Sequence, residues 1–166
     1  MNLELLYITI YSYILGSIPF GLILTKIFLK RDIREVGSGN IGATNVLRTG
    51  KKTLGISTLV LDSLKAYFAV TITLNFFPEY IYLSALLCFL GHIFPIWLKF
   101  NGGKGIAAYL GILFAYSVNL GFIFLITWSI ILFFSKYSSL SSILSSLVIF
   151  LYSITLDNFN MSLFFL

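Results

Sequence analysis

Four long uncharged runs dominate this chain and leave few folds open to it. Leu5–Thr25 gives 21 residues, Tyr80–Leu98 gives 19, Gly105–Ser135 gives 31 and Tyr137–Leu156 gives 20. At about 1.5 Å per helical residue, each is long enough to cross a hydrocarbon core of about 30 Å. A fifth apolar stretch, Thr53–Pro78, is interrupted by Asp62 and Lys65. Only 10% of the residues are charged and the mean hydropathy is +0.98. Soluble domains carry about a quarter charged residues, so this chain lacks the polar surface to face water. Strict alternation of apolar and polar residues is absent, which argues against a β-barrel. The expected fold class is an all-α integral membrane protein, a single polytopic domain over residues 1–166.

The N-terminus has no basic segment before its apolar run, and Glu4 stands there instead. The first run therefore reads as a permanent span rather than a cleaved signal. The lone cysteine, Cys88, falls mid-span without metal-ligating company, so it reads as packing and no metal is expected.

Net charge is +5, and its placement explains it. Of the 11 Lys and Arg residues, all but Lys65 lie in or beside Lys26–Lys52, Lys99–Lys104 and Lys136. The connection at Pro78–Glu79 holds no base. This positive-inside pattern places the three basic loops in the cytoplasm and gives no reason to invoke nucleic acid. Parity then predicts six spans with the N-terminus outside: near 5–25, 53–77 and 80–98, two short spans sharing 105–135 with a turn at Ser117–Gly121, and one near 140–156. Asp157 and the residues after it are expected outside.

Two loops carry the chemistry. Lys30–Lys52 reads KRDIREVGSGNIGATNVLRTGKK, with glycines at 37, 39, 42 and 50 among the donors Ser38, Asn40, Thr44, Asn45 and Arg48. Glycine lets successive N–H groups turn toward one point, which suits a phosphate. Gly37, Gly39 and Gly42 also spell G-x-G-x-x-G, but membrane spans stand where a dinucleotide fold needs strands. The second loop, GHIFPIWLKFNGGKG from Gly91 to Gly105, sets Lys104 among Gly102, Gly103 and Gly105 as a point charge for a second anion. His92 is the only histidine, inside a span, where ionisable groups tend to be functional. The position five after His92 is Trp97, so the His-x4-Asp dyad of the large acyltransferase superfamily is missing. Asp62 and Lys65, at i and i+3, read as a charge-cancelling pair on one helical face. Lys136–Ser142 adds hydroxyls near the membrane surface.

Together, Gly37–Arg48, Gly91–Gly105 and Tyr137–Ser142 resemble the three cytoplasmic motifs of the bacterial acyl-phosphate glycerol-3-phosphate acyltransferases, the PlsY family. Gly16–Gly21 and the segment Leu61–Lys65 look like its lesser signatures, although Ala66 stands where the family usually has Gly. The resemblance runs in order over about residues 5–155. It implies transfer of a fatty acyl group from acyl phosphate to glycerol 3-phosphate, giving lysophosphatidate and phosphate for phospholipid synthesis at the inner membrane's cytoplasmic face. No cofactor is implied, because an acyl phosphate is already activated. The implied partners are the two substrates, membrane lipid and the acyltransferase that produces acyl phosphate. Catalytic roles are implied for Lys104, His92 and Arg48. Substrate binding is implied for Ser38, Gly39, Asn40, Gly42, Thr44, Asn45, Arg48, Gly102, Gly103, Lys104, Ser139 and Ser142. The family looks seven-spanned, so this chain is expected to be shortened at its C-terminus. Competing readings are a small transporter or channel for phosphate-type anions, against which there is no internal repeat, and an inactive truncated relative.

Overall fold

The computed structural model describes residues 3–155, which form eight α-helices and three short 3-10 turns, with no strand among the described residues. The helices are α1 (Leu3–Ser17), α2 (Phe20–Leu29), α3 (Ala43–Leu47), α4 (Lys52–Phe76), α5 (Ile81–Ile93), α6 (Ile106–Tyr116), α7 (Val118–Ser135) and α8 (Ser138–Thr155). Five segments are long and apolar enough to cross a membrane: Leu3–Leu29, Lys52–Phe76, Pro78–Leu98, Val118–Ser135 and Ser138–Thr155. The chain is thus an all-helical integral membrane protein.

The sixth expected crossing is only the 11-residue helix α6. The 31-residue apolar run does break near the expected turn, with Ser117 in extended backbone at φ −160° and ψ 129°. Arithmetic explains the unequal halves. At about 1.5 Å per residue the whole run reaches about 46 Å, too little for two full crossings of about 30 Å each. The helix α7 takes a full length and α6 is left short. The expectation for Asp157 and its successors falls outside the described residues.

The chain divides into two compact units, Met1–Ala115 and Tyr116–Leu166. In the first, α1 packs on α5 at van der Waals distance between backbones. A Cβ on Gly16 would sit 2.1 Å from the Cys88 carbonyl oxygen, and one on Gly91 would sit 2.4 Å from the Tyr13 carbonyl oxygen. Small residues allow this approach where lipid supplies no hydrophobic drive between helices. Buried hydroxyls then tie three helices together. Ser12 Oγ and Ser84 Oγ lie 2.8 Å apart, Ser84 Oγ donates to the Ala69 carbonyl at 3.3 Å, and the Tyr11 hydroxyl bonds Thr73.

Span one is broken. Pro19 has no N–H to give, so α1 ends at Ser17 and α2 begins at Phe20. Carbonyls freed at membrane depth need partners from elsewhere. Trp97 Nε1 donates to the Ser17 carbonyl at 2.8 Å, and Lys65 Nζ donates to the Ile18 carbonyl at 2.5 Å.

The second unit is the pair α7 and α8, which turns at Lys136 in left-handed backbone at φ 62°. Ser141, Ser142 and Ser145 are buried and donate to carbonyls one turn back. Large apolar side chains such as Ile126, Ile130, Phe133 and Leu151 face outward, as a lipid-facing surface requires.

Candidate active site

The loop between α2 and α4 is held down by its own small core. Ile33, Ile41 and Val46 are buried with Leu22 of α2, and Val36, Leu54 and Leu98 pack against them. Leu98 belongs to the second basic loop, so the two loops share one apolar floor. At the loop's entrance Asp32 caps the turn Ile33–Glu35. Its carboxylate accepts from Arg34 Nη2 at 2.7 Å, from Arg34 Nε at 3.0 Å and from the Arg34 backbone N–H at 3.0 Å. The Arg34 hydrogen bonds hold the Asp32 carboxyl well below the usual carboxylate range.

Asn45 organises the rest. It is 2% exposed; its Oδ1 accepts from the Ser38 N–H at 3.0 Å. Its Nδ2 donates to the carbonyls of Ile33 at 3.1 Å, Val36 at 2.9 Å and Asn40 at 2.8 Å. An amide has two donor hydrogens and one acceptor oxygen, and here both groups are engaged within the loop. Asn45 thus holds the shape of the loop from within. Several backbone donors are likewise occupied: the Gly39 N–H goes to the Val36 carbonyl at 3.0 Å and the Gly42 N–H to Asn40 Oδ1 at 2.8 Å.

What the loop presents outward is side-chain chemistry. Ser38, Thr44 and Arg48 are exposed and Asn40 is half-buried. Arg48, at the end of α3, folds back over Gly37. A Cβ on Gly37 would meet Arg48 Cδ at 2.8 Å and Nη1 at 3.0 Å, and Gly37 is left-handed at φ 56°. Glycine is needed there on both counts. The guanidinium is thereby placed beside the Gly37–Gly39 turn, eleven residues away in sequence from its own Cα.

In the second loop the glycine amides serve the end of α5. The Gly102 N–H donates to the Ile93 carbonyl at 2.9 Å and the Gly103 N–H to the His92 carbonyl at 3.0 Å. A helix end leaves carbonyls without partners, and the chain folds back to satisfy those of α5. A Cβ on Gly102 would sit 2.2 Å from the His92 carbonyl oxygen, and one on Gly103 would sit 2.1 Å from His92 Nε2. These N–H groups are thus spent on the protein, and exposed Lys104 is the cation the turn presents.

His92 is 4% exposed and lies under Gly103, with Nδ1 3.8 Å from Asp62 Oδ1. Asp62 Oδ1 is 2.8 Å from Lys65 Nζ, so the expected pair forms, and His92 stands next to it beyond hydrogen-bond distance. Sequence spacing shows the i, i+3 pair, but not a histidine 30 residues further on. The only signal was that all three are ionisable groups inside spans. Ser139 and Ser142 belong to the second unit, near the start of α8. Ser139 is exposed, whereas Ser142 accepts from Trp128 Nε1 at 3.1 Å and donates to the Ser138 carbonyl at 2.9 Å.

Comparison with known proteins places this architecture. The family model described as glycerol-3-phosphate acyltransferase matches residues 6–166. A glycerol-3-phosphate acyltransferase of Pelagibacter ubique is 57% identical over 164 residues, covering 99% of this chain and 85% of that protein. One from Wolbachia pipientis wMel is 54% identical over 144 residues, covering 85% of this chain and 74% of its own length. The fold is similar to a crystal structure of PlsY (YgiH), an integral membrane glycerol 3-phosphate acyltransferase, in its glycerol 3-phosphate form. That match has a TM-score of 0.89 at 34% identity, over 98% of this chain and 84% of the other. The lysophosphatidic acid form of PlsY matches at 0.87 and 33%. With the packed Gly-rich loop, the outward Arg48 and the Lys104 turn all set on membrane-spanning helices, the chain belongs to the glycerol-3-phosphate acyltransferase family.

Proposed function

We propose that the chain transfers a fatty acyl group from acyl phosphate to glycerol 3-phosphate, yielding lysophosphatidate and inorganic phosphate at the cytoplasmic face of a bacterial inner membrane. The observation that carries this reading is the folded Gly37–Arg48 loop. It spends its own amides on holding its shape and leaves Arg48, Ser38 and Thr44 outward to meet an anion. Family membership and the PlsY likeness supply glycerol 3-phosphate as acceptor. The basic loops supply the cytoplasmic orientation.

The reaction needs little beyond placement and charge. A hydroxyl oxygen of glycerol 3-phosphate bonds to the acyl carbon, the acyl carbon–oxygen bond to phosphate breaks, and the hydroxyl proton leaves. Arg48 and Lys104 hold the two phosphates and stabilise charge developing between them. The buried position of His92 under Gly103 favours a supporting role for the ring and leaves the departing phosphate as the acceptor of the proton.

The test is phosphate release by the protein purified in detergent. Phosphate release and lysophosphatidate formation are expected with acyl phosphate plus glycerol 3-phosphate, and no lysophosphatidate is expected with acyl-CoA or acyl carrier protein, whose leaving group is a thiol rather than phosphate. Equal turnover with acyl-CoA would overturn the donor assignment.

A further inference from the structure

Asp62 and Lys65 form a buried ion pair in the middle of α4, in a setting where each bare charge is costly. Mutual neutralisation alone would account for the pair's persistence, but its further contacts do more. From the carboxylate, Asp62 Oδ1 faces His92 Nδ1 at 3.8 Å, and the far edge of that imidazole sits directly beneath Gly103. From the ammonium, Lys65 Nζ donates to the Ile18 carbonyl at the break in span one and lies 5.8 Å from the centroid of the Phe20 ring. Next to Phe20, Gly21 presses against the backbone of the first loop, where its Cβ would lie 1.9 Å from the Ile41 carbonyl oxygen. One ion pair thus reaches the turn that presents Lys104 on one side and the helix that carries the Gly37–Arg48 loop on the other.

We infer that the Asp62–Lys65 pair is a positioning device that fixes the Lys104 turn relative to the Gly37–Arg48 loop, acting through His92 and through the broken first span. The inference rests on the reading of those two loops as the anion-binding parts of the site. Asp62 and Lys65 are both buried in the helix packing. Their effect is on where Lys104 and Arg48 stand, and a displacement of about 1 Å in such groups costs about 10²-fold in rate.

Removing one partner would strand a buried charge, so the informative variant removes both. Asp62→Leu/Lys65→Met replaces the pair with apolar side chains, an exchange buried ion pairs often tolerate without loss of stability. A spin label on Asn101→Cys, exposed beside the turn, reads its order independently of activity, while native Cys88 is buried. In the double variant the label is expected to become more mobile, with the melting temperature near that of the parent and kcat/KM lowered about 10²-fold. Because the device works through Lys104, adding Lys104→Ala should cost much less than it does in the parent. An unchanged label spectrum with parental kcat/KM, or losses that simply add, would overturn the inference. If the double variant fails to accumulate, the neutral polar pair Asp62→Asn/Lys65→Gln carries the same expectations and the same refutation. Should the parent itself show no turnover with acyl phosphate, the functional reading fails, and the label comparison still decides whether the pair orders the turn.

Discussion

Asn45→Ala tests the idea that the first loop is a folded object rather than a basic tether. In the native loop this side chain accepts one N–H and donates toward three carbonyls, all at 2.8–3.1 Å, from a site 2% exposed. Two amide hydrogens cannot fully serve three acceptors, so about three full bonds are lost. At about 1 kcal/mol net each, the loop loses about 3 kcal/mol. That corresponds to about 10²-fold greater population of an opened loop, since about 1.4 kcal/mol is tenfold. Trypsin cleaving after Arg34 or Arg48 reports this population when reclosing is faster than cleavage. Cleavage at these bonds should accelerate about 10²-fold, helix content by circular dichroism should hold, and kcat/KM for glycerol 3-phosphate should fall. Parental cleavage rates in a variant that has lost the side chain would refute the assignment of Asn45 as the loop's organiser.

Arg48→Ala and Lys104→Ala should each lower kcat/KM by at least about 10²-fold with little change in melting temperature, the scale of losing a preorganised charged donor; normal turnover in either would reduce that residue to a topology signal. Gly103→Ala should lower kcat/KM at least about tenfold, because the new methyl would stand 2.1 Å from His92 Nε2, and steady-state kinetics would show it. Asp32 has a folded pKa below its unfolded value, so its stabilisation is present above the unfolded carboxylate pKa of about 4 and is lost as pH falls through the folded value. The Tm difference between the parent and Asp32→Asn should therefore be small at pH 7, given the exposure of Arg34, and vanish in strong acid.

The spans and the basic loops were legible because both are composition effects. Apolar length decides what enters lipid, and the positions of Lys and Arg need no tertiary contact to be counted. The unequal split of Gly105–Ser135 was already implicit in its length, which the need for an even number of crossings obscured. The site was less legible. Gly102 and Gly103 read as glycines around Lys104, and the partners of their amides depend on α5 ending at Ile93 with its last carbonyls unserved. Asn45 looked like Ser38 and Thr44, one more polar residue in a polar loop. Only the packing of Ile33, Ile41 and Val46 determines which of those side chains turns inward.

The break at Pro19 bears on how such a chain is made. Ser17 and Ile18 emerge from the ribosome early, but the side chains that donate to their carbonyls, Trp97 and Lys65, are 80 and 47 residues further along. Until those arrive, the first span of the nascent chain holds an open acceptor at Ser17 that lipid cannot serve, and the Ile18 carbonyl has only the neighbouring Phe20 N–H. Its settled form is therefore a late product of assembly, completed by the third segment rather than by its own sequence. A helix broken in this way makes the order of synthesis part of the fold.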